Sequence, residues 1–147
     1  MRVTAPAKQS APFGFRLDPS SGIPVYRQIM DQVTGGMASG ALGTGDQLPT
    51  VRQLAVDLSI NPNTVIRAYR ELEIRGVLDT QQGTGTFIGH NKGQPDEAER
   101  RRQLNQLTGE FVARAGALNF TVDDIIDQLR DLRPLHESSK DVPRKRK

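Results

Sequence analysis

In the run Asn61-Pro62-Asn63-Thr64-Val65-Ile66-Arg67-Ala68-Tyr69-Arg70-Glu71-Leu72, an asparagine stands directly before a proline. Asn61 is placed to cap a helix, because its side-chain oxygen can accept from first-turn N–H groups that have no partner within the helix. Pro62 suits the first helical position, where a missing N–H loses no hydrogen bond. Val65, Ala68, Tyr69 and Leu72 then recur at helical spacing. At about 100° per residue, Asn63, Arg67 and Arg70 fall on the opposite face. The run predicts a helix with one buried stripe and an outer face of Asn and Arg.

Just upstream, Thr50 is a second cap, and Val51, Leu54, Ala55 and Leu58 follow at i, i+3, i+4 and i+7. Arg52, Gln53 and Asp57 are left outside. Ser59-Ile60 breaks the pattern, so two short helices are joined by a tight turn. Further back, Pro24 opens a first helix whose stripe is Tyr26, Ile29, Met30, Val33 and Met37. That helix runs to about Ser39, ends at Gly40 and leads into a loop marked by Gly43 and Gly45. Downstream, Gly76 stops the third helix. Two β-prone runs, residues 77–80 and 86–88, are joined by Gln81-Gln82-Gly83-Thr84-Gly85, which predicts a hairpin with a glycine-rich tip.

The ends read differently. Residues 1–21, with Pro6, Pro12 and Pro19, are expected to form a flexible arm, with Phe13-Gly14-Phe15-Arg16-Leu17 as a candidate short strand. Residues 22–90 are the expected globular domain, and residues 91–97 turn polar, as a linker does. Residues 96–133 hold two amphipathic helices, the first with Leu104, Leu107, Phe111, Ala115 and Leu118 at helical spacing. The second is capped by Thr121 with Asp124 and striped by Val122, Ile125, Ile126, Leu129 and Leu132. Two such helices bury too little to be stable alone. Their stripes call for a partner, and a second copy of the chain is the simplest. Leu104, Leu107, Phe111, Leu118, Ile125, Ile126, Leu129 and Leu132 are the expected interface of a homodimer. Residues 134–147 are expected to be a basic disordered tail ending Pro143-Arg144-Lys145-Arg146-Lys147; its charge would attract phosphates without specificity.

Composition removes several function classes. The 147 residues contain no cysteine and two well-separated histidines, His90 and His136. No disulfide framework, Cys/His metal site or nucleophile–base pair can be assembled from them, so neither an enzyme nor a cofactor protein is expected. Asp123, Asp124 and Asp127 lie in the first turns of a helix, where carboxylates favour the dipole, and read as a solvated face. The glycines around Thr84 lack the Gly-Lys-Ser/Thr of a nucleotide loop. With no apolar run of about 18 residues and no secretory leader, a cytoplasmic protein without a membrane partner is expected. Between residues 22 and 90 there are five arginines and six acids. Bulk charge gives no argument for a nucleic-acid partner there, and the placement of individual arginines has to carry it.

Two short helices, a tight turn and a following hairpin make a winged helix-turn-helix: a mainly α fold with a small β wing and a C-terminal helical dimerisation region. A helix fits the major groove of DNA, and Arg and Asn suit guanine and adenine edges. Exposed N–H groups and the dipole at Asn61 and Thr64, and likewise at Thr50 and Arg52, offer phosphate sites. The alternative is a winged-helix module for protein–protein contact without sequence-specific DNA binding. The segments Ile23-Pro24-Val25-Tyr26-Arg27-Gln28-Ile29, Gly45-Asp46-Gln47-Leu48-Pro49-Thr50-Val51-Arg52-Gln53-Leu54-Ala55, residues 61–72 as quoted above, and Gly83-Thr84-Gly85-Thr86-Phe87 resemble the GntR family of bacterial regulators. Asn61-Pro62-Asn63-Thr64-Val65 and the short C-terminal region are similar to its YtrA-type subfamily. That resemblance implies a homodimeric repressor of operator DNA, often acting on its own operon and on transporter genes. It also implies DNA contacts at Arg52, Asn61, Asn63, Thr64, Arg67 and the wing tip Gly83, Thr84 and Gly85, beside Thr50 and the outward Arg70. Two positions depart from the family pattern. Thr84 stands where many relatives have a basic residue, which puts Gln82 forward as the wing's polar contact, and Ile66 is apolar where some relatives are polar. No segment is long enough to enclose a ligand pocket, so any small-molecule effector has to sit at the dimer interface or between domains.

Overall fold

Capping chemistry starts three helices where the sequence puts the cap. The computed structural model describes residues 13–90 and 96–133. Its elements are α1 (Val25–Ser39), β1 (Gln47–Leu48), α2 (Val51–Leu58), α3 (Pro62–Ile74), β2 (Leu78–Gln81), β3 (Gly85–Ile88), α4 (Glu97–Ala117) and α5 (Val122–Leu132). Thr50 Oγ1 accepts from Gln53 N at 3.1 Å, and Asn61 Oδ1 from Asn63 N at 2.9 Å. At α5, Thr121 Oγ1 accepts from Asp124 N at 3.2 Å while the Asp124 carboxylate accepts from Thr121 N at 2.7 Å. That reciprocal capping box holds the Asp124 carboxyl below the usual carboxylate range, through the backbone N–H first and the Thr121 hydroxyl second.

The described residues form two compact units, the first holding α1 up to Ala38, α2, α3 and the strands, the second α4 and α5. In the first unit, Ile29 and Val33 of α1, Leu54 of α2, and Val65, Ala68 and Leu72 of α3 close a core that excludes water. Leu48, Leu78 and Ile88 extend it under the sheet. The hairpin pairs Leu78 with Ile88 through Gln81 with Gly85, and it carries a third strand that the sequence does not announce. β1 runs antiparallel to β3, Gln47 opposite Phe87 and Leu48 opposite Thr86, giving the order β1-β3-β2. Two residues are too few to display the alternation that marks a strand.

The candidate strand at Phe13-Gly14-Phe15-Arg16-Leu17 is corrected: the segment is extended but pairs with no strand. Side chains of α1 take its backbone hydrogen bonds instead. Arg16 N donates to Gln32 Oε1 at 2.8 Å, and Gln32 Nε2 donates to Arg16 O at 2.6 Å. Gln28, buried, accepts from Asp18 N at 2.8 Å and shares its amide hydrogens among Asp18 O, Ser21 Oγ and Ile23 O. Phe13, Phe15 and Leu17 point the other way and pack against the core. From Phe13 onward, therefore, the expected flexible arm is docked on α1. Residues 1–12, the linker residues 91–95 and the basic tail at 134–147 lie outside the described residues.

Gln28→Ala should remove every polar partner of this segment from the α1 side at that point. Asp18 and Ile23 are exposed, so water can take over their backbone groups, and the loss should be about 0.5–1.5 kcal/mol of unfolding free energy, the usual net worth of a hydrogen bond. Faster amide exchange at Asp18 should accompany it. Urea melts with hydrogen exchange check both, and an unchanged Asp18 exchange rate would show that the apolar contacts alone hold the segment.

Candidate nucleic-acid interface

The turn between α2 and α3 is built on a left-handed residue. Ser59 has φ 53° and ψ 47°, and its N–H closes α2 on Ala55 O and Val56 O. Ile60 N then donates to Ala55 O at 3.0 Å, and Asn61 begins α3. A second tie comes from Tyr69, whose buried hydroxyl donates to Pro49 O at 2.8 Å and so fastens α3 to the residue before the α2 cap. Burial pushes the Tyr69 phenol well above its ordinary pKa.

With Val65, Ala68, Tyr69 and Leu72 buried, Asn63, Arg67 and Arg70 are exposed on the outer face of α3, as helical geometry requires. Thr64 is half-buried, and Ile66 is 45% exposed, which places it outside the core. On α2, Arg52 is exposed, while Gln53 Nε2 donates to Asp57 Oδ1 at 2.6 Å along the same outer face. The oxygens of Thr50 and Asn61 are engaged as caps. Each residue keeps donor hydrogens beside its cap, on the Thr50 hydroxyl and the Asn61 amide nitrogen, for an outward contact with an acceptor.

At the wing, Gln82, Gly83 and Thr84 are exposed, and Thr84 N donates to Gln81 O at 3.1 Å across the tip. Gly83 at φ +78° and Gly85 at φ +134° adopt conformations that side chains disfavour. Gly85 is also crowded: a Cβ there would lie 2.5 Å from Gln47 Nε2. That amide donates to Thr84 O at 3.3 Å, so β1 tethers the tip. The Thr80 hydroxyl is bonded to the Glu73 carboxylate, joining β2 to the end of α3. Gln47 is one residue that sequence reasoning missed. Tyr26 is another, because the Arg67 guanidinium lies over its ring, 3.8 Å from the centroid. Neither carries a local signal, since each partner is at least 37 residues away for Gln47 and on a different helix for Tyr26. All eleven predicted contact residues (Thr50, Arg52, Asn61, Asn63, Thr64, Arg67, Arg70, Gln82, Gly83, Thr84, Gly85) sit in the first compact unit.

In the second unit, Leu104, Leu107, Phe111 and Leu118 of the α4 region are each more than half exposed, as are Leu129 and Leu132 of α5. Ile126 is 39% exposed and Ile125 half-buried. Phe120 and Val122 extend the apolar surface between the helices. Phe111, Ala115, Leu118, Ile125 and Leu129 line an open cleft of about 700 Å³. Among the described residues, no group of three or more acidic or histidine side chains is arranged to hold a metal, and no helix is long and apolar enough to cross a membrane.

Residues 25–88, which hold the helix-turn-helix and its wing, match the family described as bacterial regulatory proteins, gntR family. The chain is 45% identical over 76 residues to the HTH-type transcriptional repressor YtrA of Bacillus subtilis, a match covering 52% of this chain and 58% of that repressor. It is 40% identical over 114 residues to an HTH-type transcriptional regulator of Mycobacterium tuberculosis, covering 78% of this chain and 89% of the relative. Among solved structures, a GntR family transcriptional regulator from Listeria monocytogenes superposes with a TM-score of 0.53 at 31% identity, covering 78% of this chain and 98% of that one.

The Tyr69 tie gives the helix-turn-helix a pH limit. Its folded pKa is raised, so the folded state prefers the neutral phenol; the unfolded chain ionises near pH 10, and from there upward unfolding releases a proton. Ionisation of Tyr69 should leave stability independent of pH below about pH 10 and should lower it above that by up to about 1.4 kcal/mol per pH unit. Tyr69→Phe should flatten that slope in denaturant melts between pH 9 and 11. Equal slopes in the two proteins would mean the phenol is not held neutral.

Proposed function

The chain belongs to the gntR family of bacterial regulatory proteins, and from that premise we propose that it is a sequence-specific DNA-binding repressor that grips an inverted-repeat operator as a homodimer. The observation that carries the reading is the outer face of α3, where Asn63, Arg67 and Arg70 stand exposed within three turns, opposite a fully buried stripe. Such a helix inserts into a major groove, with Arg and Asn supplying paired donors and acceptors to base edges. The start of α2, with Thr50 and Arg52, faces phosphate or an adjacent base, and the wing tip from Gln82 through Gly85 reaches a neighbouring groove. In this reading residues 22–90 are the DNA-binding domain and residues 96–133 the dimerisation region.

The dimer half of the proposal is supported by the apolar side chains that α4 and α5 leave in water. A two-fold partner covers the same surface on both copies, and two reading helices then meet half-sites about one helical turn apart, or a small multiple of it. Sedimentation should give a dimer at micromolar concentration, and deletion from Gln94 onward should give a monomer. A stable full-length monomer would overturn the assembly.

Base reading is tested by competition gel shifts against the promoter of the protein's own operon. Arg52→Ala and Arg67→Ala should each lower the operator affinity by about 1–3 kcal/mol, with much less effect on random DNA. Truncation after Asp141 should weaken both kinds of DNA about equally, and all affinities should fall steeply with salt as counterions are released. If both alanine variants keep their preference for operator, the reading face is misassigned, and a protein-interaction module becomes the better account of the domain.

A further inference from the structure

We infer that Tyr26 is a positioning residue for base reading: its ring seats the Arg67 guanidinium and thereby sets which base pair α3 discriminates. The inference rests on the reading of α3 as a DNA-reading helix and goes beyond it, because Tyr26 belongs to α1, outside the helix-turn-helix. The Arg67 Cζ lies 3.8 Å from the centroid of the Tyr26 ring, which is contact distance for a guanidinium against an aromatic face. The ring is itself anchored. Tyr26 is half-buried and packs against the core, three residues before Ile29, which is fully buried.

The physical consequence concerns freedom rather than attraction. An arginine on a helix surface has many rotamers, and reading a guanine through both O6 and N7 demands one of them. Stacking holds the guanidinium by its face and leaves the N–H donors at its edge, in the plane where a bidentate contact forms. Nothing acidic competes: Arg67 takes part in none of the ion pairs among the described residues. Arg52 and Arg70 have no ring beneath them among the described residues. Among these three arginines, Arg67 is therefore the one whose position is prepared before DNA arrives, and preorganisation turns a charged side chain into a selective one.

The test uses the full chain, the operator, and a panel of operators with each base pair changed in turn. Arg67→Ala first identifies the position at which discrimination relaxes. Tyr26→Leu should relax that same position by about tenfold, within the range expected for one arginine–guanine contact. It should leave discrimination elsewhere unaltered, and Arg67→Ala/Tyr26→Leu should lose no more there than Arg67→Ala alone. Tyr26→Phe, which keeps the ring, should remain within about twofold of wild type, because stacking needs the face and not the hydroxyl. In the protein without DNA, the Arg67 side-chain resonances should carry a ring-current shift in wild type and in Tyr26→Phe. That measurement needs only a folded Phe variant, so it holds even if Tyr26→Leu proves too unstable to assay. Wild-type discrimination in Tyr26→Leu beside a relaxed Arg67→Ala would overturn the role of Tyr26 and leave the reading face standing. No position relaxed by Arg67→Ala would overturn both. A missing ring-current shift, or equal losses at every operator position in Tyr26→Leu, would reduce Tyr26 to a packing residue.

Discussion

The burial of one face of α3 is the constraint on which the rest of the first unit depends. Val65, Ala68 and Leu72 have no exposed surface, and Tyr69 almost none. A helix of 3.6 residues per turn that commits those positions to the core has no choice about where Asn63, Arg67 and Arg70 go. The core then fixes the helix as a rigid body, while the Tyr69 hydroxyl on Pro49 O and the Ser59 turn fix its angle to α2. Polar contacts at the surface are placed by apolar contacts beneath it. A residue on a loop would have to order its backbone at the moment of binding, whereas here the backbone part of that entropy is already lost on folding.

What could be read from the sequence, and what could not, divides along the range of the interactions. The caps at Thr50, Asn61 and Thr121 were legible because donor and acceptor are two or three residues apart, and all three form. The buried stripes of α2 and α3 were legible because period alone reveals them. β1, the Gln47 tether, the Gln28 knot and the Arg67–Tyr26 stack were not, because each joins residues that only the fold brings together. The segment at Phe13 shows the same limit from the other side. Its alternation of Phe15 and Leu17 with polar neighbours has the period of a strand and does reflect a half-buried extended chain. The period cannot tell, however, that the backbone's partners are glutamine side chains rather than another strand.

Glutamine does this work twice in the first unit because its amide offers both a donor and an acceptor at the end of a flexible arm. Gln28 and Gln32, one helical turn apart on α1, together satisfy backbone groups of Arg16, Asp18 and Ile23. The extended segment gains the hydrogen bonds a sheet would give it, without the sheet. It is also left without an open strand edge on that side, which removes a template for unwanted pairing.

The acid–base balance of the first unit looks unfavourable for a partner made of phosphates until the charges are located. Three of the six acids between residues 22 and 90 already have hydrogen-bond partners: Asp46 accepts from Gly43 N, Asp57 from Gln53, and Glu73 from Thr80. More important is their position along α3. From Pro62 to Arg70 there is no acid, while Glu71 and Glu73 both fall at the helix's C-terminal end. The helix dipole is positive at the N-terminus, so the backbone adds to Arg67 and Arg70 at the end that carries Asn63 and Thr64. A groove-facing helix needs a favourable potential only over the two turns that enter the groove, since screening limits an exposed charge to about 10 Å at ordinary salt. A domain of near-zero net charge with its arginines so placed gains little from non-specific attraction. On the proposed reading of α3, the balance between operator and random DNA is thereby shifted toward the contacts that depend on geometry.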